Sequence, residues 1–286
     1  MTPPTDTSRT MRLRSAPHAL AVGVALLAAA AAGAQVRHLP ASTQLGEGSR
    51  QPNDAPLPIP DASPRPRPTP AGAKPWSARV AESVMTRNPQ THRRWDYTAG
   101  VVLGAIERVG LARRDRAMLD YVRTNVDRFV RPDGTIEGYE VDEYNLDHVA
   151  PGTVLLDLHE RTGDPRYRRA IETLRGQLRT HPRTAEGGFW HKKIYPQQMW
   201  LDGLFMGQPF LARYARTFGE PAAFDDVARQ FLLVARHTRD PRTGLMYHAW
   251  DAGRAQPWAD PATGLSPNFW GRAMGWYLVG LVEVLD

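Results

Sequence analysis

Four short clusters of acidic, basic and aromatic residues carry the chemistry that this sequence offers. They lie at residues 140–148, 191–203, 247–251 and 268–276. Aspartates in such clusters transfer protons, lysine and arginine bind anions, and tryptophan faces stack on sugar rings. If folding brings the clusters together, the set is suited to binding an acidic sugar and to moving protons on it.

Each of these residues also has an ordinary structural explanation. A carboxylate such as Asp202 near a helix start stabilises the helix dipole, and its position alone does not separate that role from catalysis. Asp147, considered alone, is better explained as a cap or turn residue. Trp270 and Trp276 have the helical spacing of core residues. The clusters therefore indicate a site only when they are taken together.

The remaining chemistry-bearing residues do not indicate a metal or a cofactor. The chain has no cysteine, which excludes disulfides, thiolate metal sites and a cysteine nucleophile. His191 and His248 are too far apart in sequence to indicate a metal site, and Lys192 with Lys193 is compatible with a solvated surface pair. Phosphate-binding loops, dinucleotide-binding glycine patterns and serine-hydrolase elbows are also missing. We therefore expect neither a metal nor a cofactor.

Helical periodicity predicts that seven helices position these clusters. Gly110 is expected to end the first helix, and Pro209 is expected to kink or interrupt the fifth. Short β-like pieces are possible around Gly244 to Tyr247, but no strands alternate with the helices, so an α/β fold is not expected. The predicted helices are Trp95–Val109, Asp115–Phe129, Pro151–Arg161, Tyr167–Arg179, Trp200–Phe218, Ala222–Thr238 and Trp270–Leu285.

The predicted helices form hairpins whose first members begin near residues 95, 151, 200 and 270. Repeated hairpins of this size indicate an α-toroid or an α-solenoid, and the irregular loops favour the toroid. If the first helix of each hairpin lines a ring, their N-termini emerge at one end and the polar clusters converge there. A closed ring needs more hairpins than these, so we expect a barrel that is incomplete at its C-terminal end.

The N-terminal part predicts export. Arg12 and Arg14 precede an apolar run at residues 19–32 and a small-residue cleavage site, so residues 1–34 are predicted to be a signal peptide, with Met11 a possible initiator. The run is short for the alternative, a membrane anchor. Residues 35–75 are a proline-rich linker without apolar periodicity. We expect the mature domain at residues 76–286, exported to the periplasm or the medium and not held by the membrane.

The charge distribution argues against nucleic-acid binding. The formal net charge is +6, but residues 1–75 hold eight Lys/Arg and four Asp/Glu, which leaves only +2 for residues 76–286. A nearly balanced domain lacks the basic stripe that phosphate binding requires. The sequence does not indicate an oligomeric state.

Considered together, the clusters resemble those of glycoside hydrolase family 105, the unsaturated rhamnogalacturonyl hydrolases. The resemblance is carried by HKKIYPQQMWLDGLFMGQPFLARY at residues 191–214 and FWGRAMGWYLVGLVEVLD at residues 269–286. Residues 247–251 are similar to the family's H-x-W-D loop. Residues 144–152 are similar to the stretch that carries its first acidic residue. The resemblance covers roughly residues 77–286.

The resemblance implies an all-α fold, an (α/α)6 barrel of six helical hairpins, and an unusual hydrolysis in pectin degradation. The substrate is an acidic oligosaccharide with a C4–C5 double bond in its terminal uronic acid. The enzyme hydrates that bond, and the resulting hemiketal opens and releases the neighbouring sugar.

Carried over to this sequence, the resemblance makes Asp202 the general acid/base and Asp147 a second carboxylate that orients the substrate or assists. Because a general acid at neutral pH needs a raised pKa, we expect Asp202 to be buried among aromatic side chains near Asp147. The implied substrate-binding residues are His191, Lys192, Trp200, His248, Trp270, Arg272 and Trp276.

Two alternatives remain open at this stage. The related family 88, the unsaturated glucuronyl hydrolases, acts on glycosaminoglycan fragments with the same fold and paired aspartates. A non-catalytic sugar-binding protein on the same scaffold is the other alternative. The sequence does not specify the oligosaccharide or its linkage.

Overall fold

The structure, a computed structural model, describes residues 72–90 and 93–286. The predicted leader at residues 1–34 lies outside the described residues, and so does the predicted linker at 35–75 except for its last four residues. None of the helices in the two described ranges combines the length and apolar composition that a bilayer crossing requires.

The described residues form eight α-helices with two 3-10 turns and two short strands. The 3-10 turns are Val141–Glu143 and Leu146–His148. The strands are β1 (Gln198–Trp200) and β2 (Ala249–Asp251). The helices are α1 (Trp76–Arg87), α2 (Tyr97–Arg113), α3 (Arg116–Asp127), α4 (Gly152–Thr162), α5 (Pro165–Thr180), α6 (Leu201–Phe218), α7 (Ala222–Thr238) and α8 (Gly271–Leu285).

Capping residues determine where several helices begin and end. Asp96 accepts hydrogen bonds from the first backbone N–H groups of α2, and Asp115 and Asp164 do the same for α3 and α5. At their C-terminal ends, α4 and α6 stop at Gly163 and Gly219, whose φ angles of 66° and 75° favour glycine. These local signals explain why the predicted and observed bounds differ by only a few residues.

The helices pack as hairpins around an inner arc. α2 packs on α4, α4 on α6 and α6 on α8, while α3, α5 and α7 each pack on their own hairpin partner from outside. Because the inner helices are separated by one outer helix each, they run in the same direction. Their N-terminal ends therefore lie on one side of the arc, as the sequence analysis predicted.

The predicted helix end at Gly110 and the predicted interruption at Pro209 were wrong, whereas a kink at Pro209 stays a prediction. Helix α2 continues past Gly110 to Arg113, because Gly110 serves close packing: a Cβ there would lie 3.0 Å from Met118 and Leu119 side-chain atoms of α3. Helix α6 continues through Pro209, which costs one backbone hydrogen bond but leaves the helix held by α4, α7 and α8. Helix α1 had not been assigned from the sequence.

The small amount of sheet lies elsewhere than predicted. Around the predicted position, Met246 and Tyr247 form only isolated bridges, to Arg239 and Phe269. The paired strands are β1 and β2, which run antiparallel with Trp200 opposite Ala249. Three-residue strands are too short to produce a sequence periodicity.

A partly buried chain of acidic and basic side chains links the inner helices α2, α4 and α6. Arg161 of α4 pairs with Glu107 of α2, and Arg213 of α6 pairs with Asp157 of α4. Burial and the neighbouring Asp157 raise the pKa of Glu107 to about 8. This chain fixes the helices at the end opposite the polar clusters.

Close contact between α2 and the start of α4 predicts that Gly100→Ala destabilises the protein. A Cβ at residue 100 would lie 2.9 Å from the backbone N and Cα of Pro151, and backbone cannot rotate away. We expect the free energy of unfolding to fall by about 1–3 kcal/mol, measured by urea denaturation.

Gly104→Ala is the matched control, one turn further along the same helix. Its Cβ would lie 3.6 Å from Val154 Cγ2, an ordinary contact. Alanine in a helix should then stabilise by about 0.5–1 kcal/mol. Equal effects of the two substitutions would contradict the role assigned to Gly100.

Candidate active site

The predicted site residues lie on five segments at the N-terminal side of the inner helices. Asp147 is in the 3-10 turn before α4, and Asp202 is in the first turn of α6. The other seven follow the same pattern: His191 and Lys192 in the loop before β1, Trp200 in β1, His248 beside β2, and Trp270, Arg272 and Trp276 at the start or in the first half of α8.

Backbone hydrogen bonds join these segments to one another. Leu201 N–H donates to the carbonyl of His248 at 3.1 Å, and His248 N–H donates to the carbonyl of Asn268 at 3.1 Å. On the other side, Leu146 N–H donates to the carbonyl of His191 at 3.2 Å. The site is therefore assembled by main-chain contacts between residues that lie far apart in sequence.

Asp147 is held by two neighbouring side chains. Its Oδ2 lies 2.7 Å from Lys192 Nζ, and its Oδ1 lies 3.4 Å from His191 Nε2. Asn145, not Asp147, accepts the backbone hydrogen bond that caps this turn. Asp147 is therefore a turn residue but not a cap, and the explanation of Lys192 as a solvated surface residue was wrong.

The ring of His191 lies between Asp147 and β1. It stacks on Trp200 with ring centroids 4.4 Å apart and planes inclined by 13°, and Tyr195 stacks near Trp200 at 4.9 Å. Burial lowers the pKa of His191 to about 4, against the opposing effect of Asp147. The imidazole is therefore neutral at neutral pH. Its buried Nδ1 has no hydrogen-bond partner among the described residues.

Asp202 is buried, with 6% of its surface exposed. Its Oδ1 lies 3.4 Å from Arg272 Nη1. Burial is the main reason why the pKa of Asp202 is raised; the Arg272 charge lowers it, and the Asp147 charge raises it. Asp147 thus acts on Asp202, and for Asp202 burial outweighs the arginine. Asp202 is the group in this cluster that is best suited to holding a proton.

Arg272 and Trp270 form an exposed edge of the cluster. The guanidinium carbon of Arg272 lies 3.9 Å from the centroid of the Trp270 ring, which His248 approaches edge-on at 5.9 Å. Trp270 is 47% exposed, so the core explanation was wrong for this residue. A flat aromatic face beside a guanidinium suits a sugar that carries a carboxylate.

Trp276 is buried, in agreement with the core explanation. Its ring lies 4.5 Å from Phe205 and 5.9 Å, edge-on, from Tyr97. Its indole N–H has no hydrogen-bond partner among the described residues. A contact between Trp276 and substrate stays a prediction.

A cavity of about 550 Å³ adjoins the Asp147 side of the cluster. Among the predicted residues, Asp147 and Lys192 line it, whereas Asp202 and Arg272 do not. Tyr97 also lines it, and the charges of both aspartates and of Arg272 act on Tyr97. Tyr97 therefore lies at the junction of the cavity and the Asp202 pair.

The loop after β2 is wound around the side chain of Asp251. The carboxylate accepts hydrogen bonds from the N–H groups of Gly253, Ala255 and Gln256 at 2.8–2.9 Å. The loop closes where Asp251 N–H donates to the carbonyl of Gly264 at 2.8 Å. Trp258 of this loop faces His248, with ring centroids 6.2 Å apart.

No group of three or more histidine, aspartate or glutamate side chains within residues 72–90 and 93–286 is arranged to hold a metal ion. What the cluster offers is a proton-holding carboxyl, a second carboxylate fixed by a lysine, and an arginine over an aromatic face.

The sequence profile described as Glycosyl Hydrolase Family 88 matches residues 76–286. This chain belongs to glycosyl hydrolase family 88. Among curated proteins, it is 31% identical over 212 residues to unsaturated rhamnogalacturonyl hydrolase YesR of Bacillus subtilis, covering 72% of this chain and 58% of that protein.

Solved structures of related glycoside hydrolases also resemble this family 88 chain. A family 105 glycoside hydrolase from C. acetobutylicum ATCC 824 matches with a TM-score of 0.73 and 44% identity, over 74% of this chain and 59% of that one. An unsaturated glucuronyl hydrolase from Bacillus sp. GL1, responsible for glycosaminoglycan degradation, matches with a TM-score of 0.55 and 18% identity, over 73% and 60%. The second likeness shows the fold alone.

These comparisons confirm the resemblance stated from the sequence and the all-α, six-hairpin fold class. The family 88 chain spans about three fifths of the length of these relatives. Its predicted site residues are brought together by the structure as described, and their individual roles stay predictions.

Sequence reasoning missed Tyr97 in this family 88 site. Burial raises its pKa, and it begins α2 directly after the capping residue Asp96. The available signal was positional: the other three inner helices also begin at a polar and aromatic cluster, and the Trp95-Asp96-Tyr97 sequence begins the first. From the sequence alone, Trp95-Asp96-Tyr97 predicts only the start of a helix.

Proposed function

We propose that the protein is a glycoside hydrolase that releases terminal 4,5-unsaturated galacturonic acid from rhamnogalacturonan-type oligosaccharides. It does so by hydrating the C4–C5 double bond. The similarity to YesR and to the family 105 hydrolase supports this substrate class. The observation that carries the proposal is the buried Asp202, whose raised pKa lets it hold a proton beside a cationic and aromatic edge.

The reaction begins with proton transfer from Asp202. Protonation at C4 of the enol ether leaves positive charge at C5 and the ring oxygen, and Asp202 becomes a carboxylate. Water then adds its oxygen at C5 and gives a proton back to Asp202. The hemiketal opens, the bond to the neighbouring sugar breaks, and the acid is regenerated for the next turnover.

The surrounding residues position the substrate for these steps. Arg272 is able to bind the uronate carboxylate while the sugar ring lies along Trp270. Because Arg272 Nη1 lies 3.4 Å from Asp202 Oδ1, a uronate that binds Arg272 draws the arginine charge away and favours the protonated acid. Asp147, fixed by Lys192, orients the sugar or assists the proton transfer.

The direct test is loss of the ultraviolet absorbance of the unsaturated sugar. We expect turnover of unsaturated galacturonyl-rhamnose to exceed that of an unsaturated chondroitin disaccharide. A reversed preference would favour the glucuronyl hydrolase alternative, which is compatible with the match to the family 88 profile. Sugar binding without absorbance loss, with Asp202 intact, would indicate a non-catalytic sugar-binding protein instead.

We also propose that the protein is exported and acts on pectin fragments outside the cytoplasm. The support is the sequence pattern at residues 1–34. Expression of the full chain in a bacterial host should place the protein in the periplasm or medium with Gln35 as its first residue, and deletion of residues 1–34 should retain it in the cytoplasm. A cytoplasmic protein with an intact N-terminus would contradict export.

A further inference from the structure

The cavity beside Asp147 contains two arginines that the proposed reaction does not use. Arg93 and Arg94 both line it, and both are exposed. Among the described residues, neither has an ion-pair partner. Two guanidinium groups that line a cavity and are not paired with a described carboxylate are suited to receiving an anion from solution.

Most carboxylates that line the same cavity are already engaged. Glu143 and Glu137 are both more than half exposed; the Oε2 of Glu143 lies 3.3 Å from His148 Nδ1, and burial lowers the pKa of that histidine. The other three partnerships are Asp147 with Lys192, Glu137 with Arg131, and Asp96 with the first N–H groups of α2. None of these four carboxylates lies within ion-pair distance of Arg93 or Arg94.

The position of the two arginines is fixed by the next residue. The indole N–H of Trp95 donates to the carbonyl of His148 at 2.8 Å, and the ring is buried against Phe129 at 5.8 Å. Trp95 thus anchors the backbone of Arg93 and Arg94 to the segment that carries Asp147. Their guanidinium groups border the cavity at the ends of long side chains whose backbone is held in this way.

The cavity extends from these arginines to the Asp147 side of the site. Its walls include Asp147 and Tyr97, and the charges of Asp202 and Arg272 act on the pKa of Tyr97. A volume of about 550 Å³ lies within the usual range of ligand pockets. For an unsaturated uronate at Asp202 and Arg272, this cavity is the space beside Tyr97 that is available to the sugars beyond the cleaved bond.

We propose that Arg93 and Arg94 bind the carboxylate of a second uronic acid, separated from the unsaturated one by a neutral sugar. The inference rests on the proposed function and deepens it: the preferred substrate is a trisaccharide or longer, with alternating acidic and neutral sugars. The cavity is the site of the sugars that are released.

The test compares two trisaccharides that differ only in charge. Both carry an unsaturated uronate linked to rhamnose, followed by a galacturonate that is either free or reduced at its carboxyl group to an alcohol. We expect wild-type protein to prefer the free acid by about tenfold in kcat/KM, and Arg93→Gln/Arg94→Gln to reduce that ratio to about one. The preference should weaken with added salt.

Arg113→Gln/Arg114→Gln is the matched control, because it removes the same two charges from the other end of α2. It should keep the tenfold ratio, and thermal melting should show that both double variants are folded. Equal kcat/KM for the two trisaccharides in wild type, or a preference that survives in Arg93→Gln/Arg94→Gln, would overturn the inference.

Failure of the proposed function gives a different result. In that case no unsaturated substrate loses its absorbance, and titration calorimetry with the same two trisaccharides decides the inference. A preference for the free acid that depends on Arg93 and Arg94 would support it. Equal affinities would overturn it.

Discussion

Replacement of Asp202 with asparagine should reduce kcat for the unsaturated disaccharide by about 10³-fold, since an amide cannot donate the proton that C4 requires. Binding should persist, because Arg272 and Trp270 remain in place. Absorbance decay gives the rate, and calorimetry gives the affinity. Retained turnover would remove Asp202 from its assigned role.

The same substitution should stabilise the protein at neutral pH. Because the pKa of Asp202 is higher in the folded state than in the unfolded state, the folded state binds more protons in the interval between the two values. The free energy of unfolding therefore falls as pH rises through that interval. The variant with asparagine does not lose free energy of unfolding in this way. The melting temperature of Asp202→Asn should therefore exceed that of wild type at neutral pH and lie closer to it in acid.

Asp142→Asn is the control for this gain in stability. Asp142 is exposed, so removing its charge should leave the melting temperature nearly constant. A variant Asp202→Asn that melts at or below wild type at neutral pH would show that burial of this carboxyl does not oppose folding.

The second expected result concerns the neighbours of Asp202, which should move the pH–rate profile in opposite directions. Asp147 raises the pKa of Asp202 and Arg272 lowers it. A general acid loses activity as pH rises through its pKa. The alkaline limb should therefore move to lower pH in Asp147→Asn and to higher pH in Arg272→Gln.

The two variants should also differ in kinetic parameters. Asp147→Asn is expected to lower kcat by about 10²-fold, because the substrate is less well oriented for proton transfer. Arg272→Gln is expected to raise KM by at least about tenfold, because the uronate loses its charged partner. If the alkaline limb moves in the same direction in both variants, or moves in neither, then the limb does not reflect the pKa of Asp202.

The positions of the helices could be predicted because their signals are local. Apolar residues at helical spacing occur within each helix, and caps such as Asp115 lie next to the residues that they stabilise. Clusters at the starts of alternate helices were sufficient to predict that Asp147 and Asp202 approach each other. That conclusion needed only the direction of the inner helices.

The details that were missed depend on partners far away in sequence. Nothing near Asp147 indicates that Lys192, in a loop before β1, will pair with it. Gly110 reads locally as a helix end, and only the approach of α3 explains why a glycine is needed inside α2. The same holds for Tyr97, whose environment is built from three other segments.

The loop after β2 is held in place mainly by hydrogen bonds within itself, centred on Asp251. Both of its ends are fixed by that one residue, and Gly264 is obligatory at the closing end, because a Cβ there would lie 2.2 Å from the Asp251 carbonyl oxygen. A second turn closes the loop at Asp260, whose carboxylate accepts hydrogen bonds from the N–H groups of Ala262 and Thr263 and whose carbonyl accepts one from Gly264 N–H. An engineer who wished to change which sugars are accepted near His248 would therefore graft new sequence at residues 257–259, around Trp258, and leave the turns at Asp251 and Asp260 alone.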